Sequence, residues 1–390
     1  MTSFRPTPTI VLEGTYPVTL GGISTWMDLL LSGSMPARIL RIGALPPEDT
    51  WAYTLPGSVE AFEGVDEPAD FSRQSVRDWS RIVAARIPAG GVVHAIGAGL
   101  AASVGLAAQR RGCPLIVSEH ASYVEELRAG SPFLESGRMV QRDEAAGVLD
   151  TFEQIRHDLY RRADMVTSLY PERMDDQVSR GLDPARARVI ANGVEVPDTI
   201  CVPPEACTAV FLGRLNPIKR PDVFVDLIDA ASDDVEIRGH LVGPFDCPPC
   251  EEAGLRRRLE QSRAVTWRGP QPMPTALSDA SVLVLTSDLE AQPLAVLEAM
   301  ARGIPVIATD VGDVRRMVTD PALGAPGGVV SRNPDVLLRA LRTLASNPER
   351  HAMWGRSART RVQRHFNVTR MRTEFSLLHA FPTTPTRVAS

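Results

Sequence analysis

Short apolar runs alternate with helical patterns along most of the chain. The runs have the length and composition of buried strands, and stretches with the 3.6-residue period of amphipathic helices separate them. In the first half they lie at residues 8–13, 38–42, 92–96, 115–118 and 165–168, and in the second at residues 210–212, 237–242, 265–267, 281–285 and 304–308. This alternation predicts an α/β protein built on doubly wound parallel sheets.

A proline-rich segment without periodicity separates the two sets of strands. It covers residues 196–206 (VPDTICVPPEA) and has the composition of a hinge between domains. The 390 residues are enough for two domains of ordinary size. We therefore expect a first domain at residues 1–198 and a second at residues 199–368.

Composition and charge exclude several classes of protein. The net charge of −5 argues against a nucleic-acid-binding protein and against a broadly basic membrane surface. No apolar run reaches the roughly 18 residues of a membrane span, and the N-terminus lacks the pattern of a signal peptide, so we expect a cytoplasmic protein. The five cysteines are scattered, and the Cys247-x-x-Cys250 pair has no second pair or nearby histidine. Neither a disulfide framework nor a metal site is expected.

A strand–loop–helix–strand unit at residues 281–308 carries the first candidate chemistry. Pro293 stands at the start of its helix, but Ala291 and Gln292 before it are poor caps, which leaves free N–H groups that suit an anion. Glu290 lies in the loop and Glu298 lies in the helix among apolar residues. Free N–H groups can bind phosphate, and the two carboxylates beside them can accept hydrogen bonds from hydroxyls. Together they suit a sugar nucleotide. An ordinary crossover with two solvated acids is the alternative.

The corner after the strand at 210–212 carries the second candidate chemistry. Gly213 and Arg214 follow the strand, and Lys219 comes just before an amphipathic helix. Lys219 is the only lysine among 42 basic residues, so it occupies a position where arginine has not replaced it. An arginine and a lysine at a strand-to-helix corner can bind a diphosphate, although a solvated basic turn would have the same pattern.

These residues resemble two signatures of the family-4 retaining glycosyltransferases. The stretch EAQPLAVLEAMARGIPVIATDVG resembles the E-x7-E signature, and GRLNPIK resembles the second signature, G-R-L-x-x-x-K. The opening segment EGTYPVTLGGISTWMDLLL resembles the subgroup that builds the Pel exopolysaccharide. The resemblance implies the GT-B fold, in which two Rossmann-like domains face each other across a cleft. Residues 1–198 would be the acceptor side, completed by the C-terminal helix at 369–390, and residues 199–368 would bind the nucleotide sugar.

The resemblance also implies roles for individual residues. Glu290 and His120 would hold the donor sugar, while Arg214 and Lys219 would neutralise the departing nucleoside diphosphate. Glu298 would bind the ribose. The other donor-binding residues implied are Gly21, Gly22, Gly213, Arg268, Gln292, Pro293 and Leu294. Those implied on the acceptor side are Thr15, Tyr16, Tyr123 and Asn192.

The chain departs from the family pattern in two places. Ala291 stands where the family has glycine, and it would be strained by about 1 kcal/mol if that position needs a positive φ. Ala121 and Leu127 differ from the family after His120, which leaves room for a different acceptor.

The predicted function is transfer of a hexose-type sugar, with retention, from a nucleoside-diphosphate sugar to an acceptor hydroxyl. A UDP-sugar is the expected donor, no metal or other cofactor is expected, and the product is a polysaccharide or a natural-product glycoside. A small molecule or glycan would be the acceptor, with at most peripheral membrane contact. Three alternatives stay open: a sugar-nucleotide epimerase, a non-catalytic sugar-nucleotide-binding protein, and an NAD-dependent oxidoreductase using Gly97-x-Gly99 with Glu119 as its ribose-binding acid.

Overall fold

The computed structural model describes residues 7–13, 22–33, 35–42, 55–65, 73–97, 101–120, 133–135, 138–140, 156–200 and 206–380. Within these ranges the chain forms two compact units. The first contains the residues up to Asn192 together with those from Thr369 onward, and the second runs from Gly193 to Val368. The contacts therefore divide the chain at Gly193, a few residues before the start of the proline-rich segment.

The first unit contains a parallel sheet of seven strands. Their order in the sheet is β3-β2-β1-β4-β5-β8-β9. All the strands are parallel, and the sequence order of the strands changes from descending to ascending between β1 and β4. A separate antiparallel pair, β6 and β7, lies outside this sheet. The strands are β1 (Thr9–Glu13), β2 (Ala37–Ile42), β3 (Val59–Val65), β4 (Val93–Ile96), β5 (Leu115–Ser118), β6 (Phe133–Glu135), β7 (Arg138–Val140), β8 (Met165–Ser168) and β9 (Ala187–Val189).

The second unit contains a parallel sheet of six strands in the order β12-β11-β10-β13-β14-β15. Its central strands are buried on both faces, as expected for a sheet covered by helices on each side. The strands are β10 (Cys207–Leu212), β11 (Ile237–Val242), β12 (Val265–Trp267), β13 (Val282–Leu285), β14 (Val306–Ala308) and β15 (Gly328–Val330).

In the described ranges of both units, helices lie between many of the successive strands, and apolar stripes bury them against the sheets. Those of the first unit are α1 (Gly22–Leu31), α2 (Arg73–Arg86), α3 (Ala101–Arg111) and α4 (Pro171–Ser179). Those of the second are α5 (Pro221–Ser232), α6 (Pro249–Gln261), α7 (Met273–Ala276), α8 (Leu294–Ala301), α9 (Val314–Val318), α10 (Pro334–Ser346) and α11 (Pro348–His365). The last helix, α12 (Val368–Ala380), follows α11 directly. None of the helices in the described ranges is long and apolar enough to cross a membrane.

The C-terminal helix α12 packs on residues of the first unit. The Arg372 side chain donates to the Leu29 carbonyl at 2.7 Å, and Arg370 donates to the carbonyls of Ala191 and Asn192. Phe375 stacks edge-on against Trp26 of α1. The last helix of the chain thus belongs to the core of the first unit.

The predicted α/β class with two parallel sheets is confirmed, and the differences are local. The strand β3 was not predicted, because its half-exposed residues lie in a polar stretch without a clear alternation. Helix α8 begins at Leu294, the predicted first residue, with Pro293 as its N-cap, and it ends at Ala301, one residue before the predicted Arg302, which is its C-cap. Strands β13 and β14 each begin slightly later than the apolar runs that predicted them.

Candidate active site

Two loops of the second unit meet at its topological switch point. Because β10 lies between β11 and β13, the loops that leave the carboxyl ends of β10 and β13 start side by side, where open α/β sheets bind ligands. The Thr286 hydroxyl donates to the carbonyls of Lys219 and Arg220, at 3.1 and 2.8 Å. The Asp288 N–H donates to the Ile218 carbonyl at 2.8 Å. These bonds join the two loops into one site.

Lys219 and Glu290 are in direct contact within this site. The Lys219 Nζ lies 2.6 Å from the Glu290 Oε1, which also accepts a hydrogen bond of 2.7 Å from the Ser287 hydroxyl. The Asn216 side chain accepts the Lys219 N–H at 3.1 Å and so caps the turn that presents the ammonium group. Glu290 is nearly buried while Lys219 remains partly accessible, so the ammonium can reach a second anion.

Arg214 lies at the more exposed side of the same corner. Its Nη1 lies 2.7 Å from the Asp246 Oδ2, which also accepts from the Asn216 amide at 3.2 Å. The ends of β10 and β11 approach each other closely at this corner. Gly243 makes this approach possible, since its φ is +149° and a Cβ there would lie 1.8 Å from the Gly213 carbonyl oxygen. Arg214 is therefore held near the site but remains about half exposed.

The start of helix α8 is open, as the sequence predicted. Its N-cap is Pro293, no side chain caps its first turn, and no basic or acidic residue lies there. The predicted strain at Ala291 does not arise, because among the described non-glycine residues only Arg220 has a positive φ. The alanine therefore fits the loop without the cost of a left-handed conformation.

Glu298 is a buried acid on helix α8. The residue is 6% exposed, and within the described part of the chain no hydrogen-bond donor contacts its carboxylate. Burial raises its pKa to about 7, with the charge of Arg302 acting weakly in the opposite direction. A ligand hydroxyl that donates to this carboxylate would supply the bond that the protein does not.

Arg268 has a different environment from that of the other predicted donor-binding residues. Its guanidinium lies 3.0 Å from the Asp279 carboxylate, and its N–H donates to the Leu241 carbonyl at 2.9 Å. The guanidinium and the backbone N–H of Arg268 therefore both have partners within the second unit. Arg268 is exposed, and no described contact joins it to Lys219 or Glu290.

His120 follows β5 in the first unit and packs against a tryptophan. Its ring centroid lies 4.2 Å from that of Trp26, and burial lowers its pKa to about 4, so the imidazole is neutral near pH 7. Its Nε2 is buried, and no described residue forms a hydrogen bond with it. His94 lies nearby and forms hydrogen bonds with the Ser118 hydroxyl at 2.7 Å and the His379 ring at 2.9 Å.

The remaining predicted residues of the first unit are only partly described. Gly22 begins α1, and a Cβ there would meet no atom within 4 Å, so packing does not require glycine. Asn192 is buried, and its carbonyl accepts from Arg370. The predicted residues Gly21, Thr15, Tyr16 and Tyr123 lie outside the described residues.

Glu119 is the centre of a buried polar cluster in the first unit. It accepts hydrogen bonds from the Tyr160 hydroxyl at 3.1 Å and from the Gln177 amide at 2.9 Å. Arg156 and Arg173 lie 3.8 and 3.6 Å from its oxygens. A carboxylate surrounded in this way is not available for a ribose hydroxyl, which argues against the dinucleotide alternative. Gly97, by contrast, does have the positive φ, +94°, of a tight turn.

Sequence reasoning missed two acidic residues that contact the site. Asp246 holds Arg214, and Asp313 holds Gln292 through a bond of 2.5 Å between its Oδ2 and the Gln292 Nε2. Each follows the carboxyl end of a parallel strand, which is the only signal that could have identified them. Among the described residues no group of three or more His, Cys, Asp and Glu side chains could hold a metal ion. The described cysteines are free thiols.

Comparison with family models separates the two halves of the chain. Residues 206–347 match the model described as "Glycosyl transferases group 1". Residues 7–78 and 72–185 match a domain of unknown function, DUF3492.

The curated relatives that match part of the chain are named glycosyltransferases. D-inositol 3-phosphate glycosyltransferase of Streptomyces avermitilis is 33% identical over 170 residues, which are 40% of this chain and 36% of that protein. D-inositol 3-phosphate glycosyltransferase 2 of Catenulispora acidiphila is 29% identical over 283 residues, 65% of this chain and 62% of that protein. The matches thus span less than two thirds of the length of these relatives.

Solved structures share the fold at low sequence identity. TarM has a TM-score of 0.75 and 12% identity, with 98% of this chain and 100% of that chain covered. Sucrose-phosphate synthase of Thermosynechococcus elongatus has a TM-score of 0.72 and 17% identity, with 96% and 98% covered. HepE of Anabaena, solved with UDP and also with UDP-glucose, has a TM-score of 0.70 and 14% identity, with 96% and 100% covered in the UDP complex. Residues 206–347 are thus similar to the glycosyl transferases group 1 model, and the chain has the two-domain fold of the solved GT-B structures.

Proposed function

We propose that this protein transfers a hexose-type sugar from a nucleoside-diphosphate sugar to an acceptor hydroxyl, with retention of anomeric configuration. The observation that carries the proposal is the Lys219–Glu290 pair, 2.6 Å apart at the switch point of the second sheet. Glu290 lies in the loop that leads to an uncapped helix. Cations and free N–H groups stabilise a diphosphate, and a carboxylate accepts sugar hydroxyls. Relatives named as glycosyltransferases, and a neighbour solved with UDP-glucose, support the same donor class.

In the proposed mechanism the donor diphosphate lies at the start of α8. Lys219 turns from Glu290 toward the phosphates, and Arg214 gives a second positive charge from its position beside Asp246. Glu290, released from the ammonium, accepts hydroxyls of the donor sugar, while Glu298 accepts those of the ribose. These groups stabilise the negative charge that develops on the diphosphate, which is where such sites act most strongly.

The proposed bond changes occur on one face of the sugar. The acceptor oxygen forms a bond to the anomeric carbon while the bond from that carbon to the diphosphate oxygen breaks. The acceptor proton passes to the departing phosphate, whose charge Lys219 and Arg214 stabilise. The second unit would thus bind the donor nucleotide, and the first unit would bind the acceptor.

The test is release of nucleotide from a panel of UDP-, GDP-, ADP- and dTDP-sugars by the purified protein. We expect slow hydrolysis of a UDP-sugar that EDTA does not change. Lys219→Met should lower the rate by about 10²–10³-fold, as removal of a transition-state hydrogen-bond donor does in other enzymes. Glu290→Gln should lower it as well, because it replaces the charged acceptor of the sugar hydroxyls by a neutral amide. Glu236→Gln is the matched control, because its carboxylate lies in the same unit but pairs only loosely with Arg238 at the surface.

Each alternative gives a different result in the same assay. An epimerase would convert the donor to an isomeric sugar nucleotide without releasing nucleotide, and a binding protein would show a thermal shift without turnover. NMR of the transferred or released sugar at early times reports the anomeric configuration, and an inverted product would overturn retention. No release from any donor, with no thermal shift, would refute the proposed function as a whole.

A further inference from the structure

The loop that carries Glu290 is supported by the segment that follows the neighbouring strand β14. Gly312 in this segment has a φ of +50°, and a Cβ there would lie 2.2 Å from the Glu290 carbonyl oxygen and 2.5 Å from the Ala291 carbonyl oxygen. Only glycine can occupy such a position, both for its φ and for the lack of space. The two segments are therefore in direct backbone contact.

Asp313, the next residue, forms two hydrogen bonds with the same loop. Its N–H donates to the Ala291 carbonyl at 2.8 Å, and its Oδ2 accepts from the Gln292 Nε2 at 2.5 Å. Asp313 is also the N-cap of α9, a position where an aspartate side chain ordinarily accepts a helix N–H. Here it makes no such bond. The carboxylate is directed at Gln292 instead of at a backbone N–H of its own helix.

Arg316 neutralises the charge of this carboxylate. Its Nε and Nη2 lie 2.6 Å from the two Asp313 oxygens, in the bidentate geometry of the strongest ion pairs. Asp313 is 2% exposed, so its charge needs this partner, while Arg316 reaches the surface. Arg361 holds Arg316 in turn by donating to its carbonyl, and both guanidinium groups lie over the Phe366 ring.

We propose that Asp313, with Arg316 as its counter-ion, is a positioning residue for the donor-sugar loop. It fixes Gln292 and the Glu290–Ala291 backbone, and so sets where the Glu290 carboxylate meets the sugar. This inference rests on the proposed function. Asp313 and Arg316 contact no substrate group in the proposed mechanism. They influence the reaction only through Gln292 and the loop.

The position of this pair predicts a specific kinetic effect. Lys219, Arg214 and Glu298 bind the diphosphate and ribose in the proposed mechanism, and no described contact joins their side chains to Asp313. Loosening the loop should therefore impair the sugar-dependent step and leave the binding of UDP nearly unchanged. A variant that only lowered the stability of the fold would reduce the rate of the sugar-dependent step and the binding of UDP together.

The experiment compares Asp313→Asn with Asp310→Asn in donor hydrolysis and in UDP binding. Asp310 is the matched control, because it forms a bidentate pair with Arg315 in the same segment but at the surface. We expect Asp313→Asn to lower kcat about 10-fold or more with the UDP dissociation constant within about 3-fold of wild type. Asp310→Asn should change neither value by more than about 2-fold.

A second pair of variants keeps the inference testable if Asp313→Asn does not fold. Arg316→Gln removes the counter-ion from a residue that reaches the surface, and Arg316→Lys restores the charge without the bidentate geometry. We expect the same loss of kcat in Arg316→Gln and partial recovery in Arg316→Lys. Gln292→Leu combined with Asp313→Asn should lose no more than Gln292→Leu alone, because both act through one bond.

Two outcomes would overturn the inference, and they differ from failure of the proposed function. If wild type hydrolyses a donor and the Asp313 and Asp310 variants share its kcat, the pair does not position the loop. If kcat and UDP affinity fall together in proportion to the folded fraction, the pair is structural only. If wild type hydrolyses no donor, the proposed function fails first and the inference fails with it.

Discussion

Glu119 of the first unit and Glu290 of the second both follow a parallel strand, yet their surroundings are opposite. Glu119 has two arginines, a tyrosine hydroxyl and a glutamine amide around it, all from its own unit. Glu290 shares one ammonium and one serine hydroxyl, and its partner Lys219 remains partly accessible. Glu119 is thus closed to a ligand, while Glu290 can exchange its partner for one.

Position at a strand end does not by itself make a carboxylate functional. A buried charge must be compensated, and the number and mobility of its partners decide whether a ligand can take part. Glu298 is the extreme case, because no described donor contacts it and its pKa rises to about 7. Glu119, Glu290 and Glu298 thus differ in how many groups of the protein surround each carboxylate, and variants of these acids should differ accordingly.

The largest effect is expected from Glu119→Gln, which removes the charge that Arg156 and Arg173 share. Two buried guanidinium groups would lose their counter-ion, so we expect the free energy of unfolding to fall by about 3–5 kcal/mol. Urea denaturation is the measurement. Asp158→Asn is the control, because its pair with Arg161 is exposed and should contribute less than about 1 kcal/mol. Equal stability of the two variants would show that the Glu119 cluster is not a structural centre.

Glu298→Gln should stabilise the free protein, and only at neutral and alkaline pH. The folded protein holds its proton up to about pH 7, whereas the unfolded chain releases it near the ordinary value of 4.5. The folded state therefore binds more protons in this window, and stability is lost as pH rises from about 4.5 to 7. We expect the variant to be equal to wild type near pH 4.5 and more stable by up to about 3 kcal/mol at pH 8.

Urea denaturation at a series of pH values measures this difference. Glu260→Gln is the control, because Glu260 is exposed on α6 and its replacement should give a difference that does not vary with pH. The same Glu298 variant should bind UDP more weakly, since it loses the charged acceptor for the ribose. A stability difference that is constant from pH 4.5 to 8 would contradict the unpartnered burial of this acid.

The smallest effect is expected from Ala291→Gly, which restores the glycine of the family pattern. Because Ala291 has no positive φ, glycine relieves no strain and only increases the freedom of the unfolded chain. We expect a loss of about 0.5–1 kcal/mol in stability and donor hydrolysis within about 2-fold of wild type. A gain in stability measured by thermal unfolding would show that the loop conformation is strained by alanine.

Much of the fold could be predicted because it depends on local patterns. Most strands of the two sheets are short apolar runs between helical stretches, and the open start of α8 follows from the absence of a capping residue before Leu294. Strand β3 could not be predicted, since a half-exposed strand owes its conformation to pairing with β2 rather than to its own composition.

The sequence alone indicates the two parallel sheets and the location of the candidate residues at strand ends, and it predicts the chemical class of ligand. Which polar groups meet depends on the tertiary structure: Lys219 and Glu290 are 71 positions apart in the sequence, and Glu119 and Gln177 are 58 positions apart. Asp313 and Arg316 are close in sequence, but the contact of Asp313 with Gln292 arises because β13 and β14 are neighbours in the sheet. Strand order, and with it burial and electrostatic pairing, depends on packing over the whole unit, which no local pattern specifies.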